Sequence, residues 1–253
     1  MGLALGIYFG GGVSGGYVNP AITLGFCLSG RIPWKKFPVF VPAQFLGAFT
    51  AAAINYGLYL DAINHYDNGT RSTTGPNSTA GIFVTFPQEF VSTTTAYFDE
   101  VFCTFILVGA SLAITDPRNM LPNNGFLPVA LGSVVFAIGT SFGFNSGYAI
   151  NPARDLSPRI FIALAGWGTE PFTFRNYYFW VPVIGPMTGG FVASLLYSLL
   201  IEIHWPEEEP EKEEDVIEKP IVNEISNGQA NKTFMKGIFQ NLAYTGTPLF
   251  CKK

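Results

Sequence analysis

Long apolar runs without a single charge alternate with short polar links along this chain. The uncharged runs cover residues 1–30, 37–60, 101–115, 119–153 and 176–201. A helix that crosses a bilayer needs about 20 mostly apolar residues. Runs 37–60 and 176–201 satisfy that as they stand. Run 101–115 reaches spanning length only if residues 93–98 join it, which carries Asp99 and Glu100 into the helix. Two readings stay open there. Either the acids face the protein interior, as ionisable groups at membrane depth do, or they mark the water-side start of the helix.

The remaining two runs are interrupted. Run 119–153 is too long for one crossing and is cut by Pro128, Gly139, Gly143 and Gly147. The pattern predicts one helix over 128–144, a turn, and a new element at Asn151. Run 1–30 is broken in its middle by Gly10, Gly11, Gly12, Gly15 and Gly16. Irregular backbone at membrane depth survives only where protein or a wet cavity satisfies its polar groups. The expected class is therefore an all-α membrane protein with two broken segments.

Charge sets the orientation. Arg31, Lys35 and Lys36 precede the 37–60 span and place that end in the cytoplasm. The following link carries Asn68-Gly69-Thr70 and Asn77-Ser78-Thr79, two glycosylation acceptors that belong on the outer face. Asn231-Lys232-Thr233 falls back on the inner side and reads as a chance match. Only 13% of the chain is charged, against about a quarter in soluble domains. Residues 1–200 sum to zero charge, so the net −4 lies in the tail. A neutral body with an acidic tail excludes the clustered cations that nucleic-acid binding needs. Residues 205–253 are expected to form an acidic, disordered cytoplasmic tail. Cys27, Cys103 and Cys251 are too scattered for a disulfide framework or a metal cluster, and His65 and His204 face no legible nucleophile. No cofactor, metal site or enzyme is expected.

The two broken segments carry the same signature. Gly16-Tyr17-Val18-Asn19-Pro20-Ala21 parallels Gly147-Tyr148-Ala149-Ile150-Asn151-Pro152-Ala153. Asn suits an N-cap and Pro the first helical position, where its missing N–H costs nothing. Three crossings lie between the two copies, so the second half-helix enters from the opposite face. Their N-termini then meet near the midplane, each with free N–H donors and roughly half a positive charge. Asn19 and Asn151 are expected to point their amides into one lumen. Such a junction suits neutral hydrogen-bonding solutes and repels cations.

On these motifs the chain resembles the major intrinsic proteins, the aquaporin family, from Met1 to about His204. It further resembles the aquaglyceroporin branch: Asp155 follows Asn151-Pro152-Ala153-Arg154, Arg159 lies four residues beyond it, and the last span carries Pro182 and Val183. The resemblance implies an inverted-repeat bundle over residues 1–204 that conducts glycerol, water and other small neutral solutes such as urea. It also implies a homotetramer in the bilayer, most simply of the plasma membrane. Arg154 matches the outer-constriction arginine, and Gly139 the small position that leaves room for a carbon backbone. Tyr148 matches the aromatic wall. The carbonyls of Gly15, Gly16, Tyr17, Gly147, Tyr148 and Ala149 match a ladder of acceptors. Glu100 matches a buried acid that supports one loop.

Two departures stand out. Tyr17 occupies a position where the family usually has His, and a larger phenol there narrows the cytoplasmic side. The resemblance also places about one and a half spans ahead of Met1. That implies a truncated form, with the first span and part of the second missing and little conduction by the 253-residue chain alone. The alternatives are a water-restricted channel, an energised transporter, which also uses inverted repeats, and a non-conducting truncated subunit. Gly139 argues against the first. The scarcity of midplane ionisable groups argues against the second.

Overall fold

The computed structural model describes residues 1–123 and 125–206; the acidic run and Asn231 lie outside the described residues. All regular structure among them is helical: α1 (Gly2–Ser14), α2 (Pro20–Leu28), α3 (Phe37–Leu58), α4 (Leu60–Asp67), α5 (Thr93–Ile114), α6 (Leu127–Ser146), α7 (Pro152–Ile162), α8 (Glu170–Tyr177) and α9 (Val181–Leu200). Four helical stretches are long and apolar enough to cross a membrane: Trp34–Leu58, Thr93–Ile114, Leu127–Ser146 and Glu170–His204. Helices α2 and α7 are the two short helices that the Asn-Pro-Ala motifs open.

Local chemistry sets the boundaries. Helix α1 runs straight through Gly10, Gly11 and Gly12 and ends at Gly15, φ 89°, whose N–H bonds the Gly11 carbonyl. The break expected among all five glycines therefore sits only at Gly15 and Gly16. These are the two that adopt positive φ, a region a side chain would make costly. Ser92 caps α5, its Oγ accepting from the Thr95 N–H at 3.0 Å. That cap places Asp99 and Glu100 well inside the helix, and Glu100 is fully buried. The last span starts at Val181 rather than Asn176, because Arg175, Asn176 and Tyr177 all take left-handed φ of 47°, 56° and 64°. Pro182 then sits in the first turn, where its missing N–H is harmless.

Helices in lipid gain little from burying apolar surface against each other, so close approach through small residues holds them together. Helix α9 supplies that face. A Cβ added at Gly189 would lie 2.3 Å from the Val101 carbonyl oxygen of α5, and one at Gly185 2.8 Å from the Glu100 Cβ. On the adjoining face, a Cβ at Gly190 would meet the Ala21 carbonyl oxygen of α2 at 2.8 Å. Ser194 completes the seam by donating to the Gly25 carbonyl at 2.9 Å. Helix α9 thus packs α5 and the first half-helix into one unit.

The ends of α2, α5 and α9 on one side are tied by charge. Arg31, just past α2, donates to the Leu112 carbonyl, Thr115 Oγ1, Asp116 and Glu202. Tyr197 and Arg118 also donate to Asp116. Burial alone would push the Asp116 carboxyl up, but the Arg118 and Tyr197 hydrogen bonds and the Arg31 guanidinium outweigh it and hold it below its usual value. The ends of α2, α5 and α9 are joined at this carboxylate.

Gly189→Ala tests the seam directly. The clash is with backbone, which cannot rotate away, so α5 and α9 must separate. The expected result is loss of the monodisperse detergent-solubilised species in fluorescence-detected size exclusion. Gly57→Ala, where a Cβ meets nothing within 4 Å, should elute normally.

Candidate functional site

The two half-helices meet cap to cap. Asn19 sits in extended backbone before α2, and its Oδ1 accepts from the Ala21 N–H at 2.8 Å. Asn151 caps α7 the same way, accepting from Ala153 and Arg154 at 3.0 and 3.3 Å. Pro20 and Pro152 take the first helical positions. Each Asn also reaches across the junction. Asn19 Nδ2 donates to the Ile150 carbonyl at 2.8 Å, and Asn151 Nδ2 to the Val18 carbonyl at 3.0 Å. This refines the expectation of two amides simply aimed into a lumen. One N–H of each amide is committed to the opposite loop, and the second N–H stays in hand as a donor.

The loops leading to these caps are extended and differently braced. Among the described residues, the carbonyl oxygens of Gly15, Gly16, Gly147, Tyr148 and Ala149 accept no hydrogen bond within the chain. Tyr17 differs: its carbonyl accepts from Gln44 Nε2 at 2.9 Å, so it is not a free rung of the ladder. Gln44 also donates to Thr23 Oγ1, fixing the first loop to α3. The second loop is held by an acid. Glu100 accepts from the Ala149 and Ile150 N–H groups, both at 2.8 Å, and from Ser146 Oγ at 2.8 Å. Tyr148 and Ile150 sit at φ 42° and 45°, which is strained for residues with a side chain. Such strain, about 1–3 kcal/mol per residue, persists only where the surroundings over-determine it, and Glu100 supplies that determination.

Asp155 and Arg159 form a second brace. They are one turn apart on α7, both fully buried and paired at 2.8 Å. Asp155 Oδ2 accepts from the Thr85 N–H and hydroxyl at 2.8 and 2.6 Å. Arg159 donates onward to the Pro171 and Thr85 carbonyls at 2.6 and 2.8 Å and stacks over Phe86. The pair thus staples the link before α5 and the start of α8 onto the second half-helix. Arg154 behaves oppositely. It is exposed, and among the described residues its guanidinium makes no hydrogen bond. The anchoring to loop carbonyls is done by Arg159 and Arg175, the latter through Gln88, Glu89 and Val91.

Gly139 has a different immediate neighbour from the one expected. A Cβ there would lie 2.8 Å from Tyr148 Cζ, and one at Gly143 2.6 Å from Tyr148 Cδ1. The room left by these glycines on α6 is filled by the Tyr148 ring. Gly139 therefore acts through where it lets Tyr148 stand. Gly147 is crowded too, its would-be Cβ 3.1 Å from Thr85. Pro182 is buried and Val183 half-buried in the first turn of α9, away from the junction bonds. Asn68 and Asn77 are both exposed on the link between α3 and α5. Gln44, Ser146 and Thr85 were not singled out from sequence. Gln44 alone carried a signal, as a polar residue inside an apolar run.

Beside the first loop lies a cavity of about 320 Å³, whose lining includes Leu3, Ile7, Leu107 and Leu127 together with Tyr17, Ser111, Thr115 and Arg31. Residues 1–197 match the family described as Major intrinsic protein. The chain belongs to that family. It is 47% identical to Aquaporin-9 of Homo sapiens over 227 residues, 89% of this chain and 77% of that one. To Aquaporin-10 of Milnesium tardigradum it is 44% identical over 220 residues, 81% of this chain and 54% of that one. The X-ray structure of the aquaglyceroporin from Plasmodium falciparum superposes with a TM-score of 0.71 at 32% identity, covering 78% of each chain. With four apolar spanning helices, this member of the family is a multi-pass membrane protein.

The two arginines of α7 should separate in a stability measurement. Arg159→Met strands a buried carboxylate and should cost about 3–5 kcal/mol. A large fall in the melting temperature of the detergent-solubilised protein is expected. Arg154→Met should melt near the wild type. Equal melting of the two variants would contradict the bracing role of Arg159.

Proposed function

We propose that this chain is a passive channel whose solutes are glycerol, water and other small neutral molecules such as urea. A channel for water and small solutes is what its family membership supports, and the finer choice rests on the junction. Paired Asn caps and free carbonyls offer donors and acceptors to a hydroxyl but no site for a charge. Arg154 adds an uncommitted planar fork able to hold two hydroxyls, and the resemblance pairs it with the aromatic wall of Tyr148. A polyol has a carbon edge and a hydroxyl edge and fits such a wall. The single observation that carries this reading is the reciprocal bonding of Asn19 and Asn151, which joins two half-helix N-termini at one point.

In liposomes holding the purified chain, glycerol should equilibrate without any ion gradient. Gly139→Phe should suppress glycerol far more than water, because Tyr148 is displaced from its seat on α6. Equal loss of both solutes with normal insertion would defeat this account of Gly139. Correctly inserted wild-type protein that passes no solute would favour the non-conducting-subunit reading instead.

The assembly we assign is a homotetramer in the plasma membrane, with the link between α3 and α5 outside and the tail inside. Asn68 and Asn77 are both exposed, so either can accept a glycan on that face. Endoglycosidase should shift the band of protein made in animal cells, and Asn68→Gln with Asn77→Gln should abolish the shift. A shift that survives this pair but vanishes with Asn231→Gln would invert the topology.

A further inference from the structure

The inner cavity contains one residue whose placement the junction does not explain. Tyr17 has its backbone pinned by Gln44, and its ring is wedged rather than free. The ring stacks on Phe40 of α3 with centroids 5.7 Å apart and an interplanar angle of 25°. It meets Phe26 of α2 edge-on at 5.4 Å and 73°. A Cβ at Gly15 would lie 2.6 Å from Tyr17 Cε2, so Gly15 is the residue that leaves space for the ring. Three elements therefore hold one aromatic side chain in the cavity wall. Its hydroxyl, by contrast, makes no hydrogen bond among the described residues, and the residue lines the cavity together with Ser111, Thr115 and Arg31.

Those neighbours show what kind of surface Tyr17 completes. Ser111 Oγ and Thr115 Oγ1 donate to the Leu107 and Ser111 carbonyls at 2.7 Å each; Ser111 Oγ is left as an acceptor, while Thr115 Oγ1 already accepts from Arg31. The Arg31 guanidinium is committed to Asp116, Glu202, Thr115 and a carbonyl, so it offers the cavity little free charge. The same lining also carries the apolar side chains of Leu3, Ile7, Leu107 and Leu127. A lining that mixes hydroxyls with carbon surface is complementary to a linear polyol, and the rigid ring of Tyr17 limits how long a polyol can turn within it.

We propose that Tyr17 is a second, inner selectivity element, separate from Arg154 and Gly139. Its fixed ring discriminates against linear polyols longer than glycerol on the cytoplasmic side of the Asn19–Asn151 junction. This rests on the reading of the chain as a glycerol-conducting channel. The steric part belongs to the ring, held by Phe40, Phe26 and Gly15, and not to the hydroxyl. Discrimination of this kind follows from pocket size, where a small change in room shifts selectivity about tenfold or more.

The test is stopped-flow permeation in liposomes holding the full chain, with glycerol and a linear five-carbon polyol measured side by side. Tyr17→Leu keeps apolar packing against Phe26 and Phe40 but withdraws the far end of the ring. The ratio of five-carbon polyol to glycerol permeability should rise about tenfold. Tyr17→Phe, which keeps the ring, should hold the wild-type ratio. If Tyr17→Leu does not insert, Tyr17→His applies the same test with a smaller ring and should move the ratio in the same direction. An unchanged ratio in the inserted smaller variant, with glycerol still conducted, overturns the inference and leaves the channel reading intact. A rise in Tyr17→Phe equal to that in Tyr17→Leu also overturns it, because the hydroxyl would then be the determinant. No glycerol flux from the wild type overturns the channel reading and this inference with it.

Discussion

A helix that begins inside a bilayer has donors that lipid cannot satisfy, and this single constraint organises the protein. The first turns of α2 and α7 both start at membrane depth, where an unmet backbone N–H costs several kcal/mol. Each Asn cap answers part of the debt within its own helix. The rest is answered by the other half: the two Asn side chains exchange bonds with the carbonyls of Ile150 and Val18. Neither half-helix is complete without its counterpart. In the channel reading proposed above, the point where they complete each other is also the polar spot a solute passes, so stability and function share the same atoms.

The extended loops ahead of the caps show the same economy with two different solutions. The first is braced by the neutral amide of Gln44, the second by the carboxylate of Glu100 together with the buried Asp155–Arg159 pair. The difference follows from backbone strain. The first loop takes its positive φ at Gly15 and Gly16, where it is nearly free. The second takes it partly at Tyr148 and Ile150, where it is not. A strained loop needs stronger hydrogen bonds to hold it, and bonds to a charged acceptor are roughly twice as strong as neutral ones. The close α5–α9 seam at Gly185 and Gly189 is what brings Glu100 near enough to serve.

Much of this was legible in the sequence, and what was hidden has physical reasons. Spans, half-helices and their caps follow from apolar length and from the Asn-Pro-Ala pairs, because those signals are local. The resemblance drew attention to Glu100, but its partners, the N–H groups of residues 149 and 150, are contacts between distant segments that no local pattern announces. Gly10, Gly11 and Gly12 misled in the other direction. Glycine permits a break without requiring one, and in lipid an uninterrupted backbone ladder is worth keeping. Gly139 was found by resemblance as a small position. That its space is occupied by Tyr148 depends on how the loop after α6 folds back, which composition does not encode.

Arg154 draws its meaning from the other arginines. Arg31, Arg71, Arg118, Arg159 and Arg175 all spend their donors on carboxylates or carbonyls. Among the described residues Arg154 spends none from its side chain, while its backbone N–H is fixed to the Asn151 cap at the mouth of α7. Its position is therefore set by the main chain, and its five side-chain donors remain available. A guanidinium used for structure would be rigid but already satisfied; one left on a flexible segment would be free but poorly aimed. Placing it three residues after the cap achieves both availability and aim. In the channel reading proposed above, the same cation, beside the positive end of the half-helix, opposes entry of other cations. On that reading, donors for a hydroxyl and a barrier to charge are two consequences of one placement.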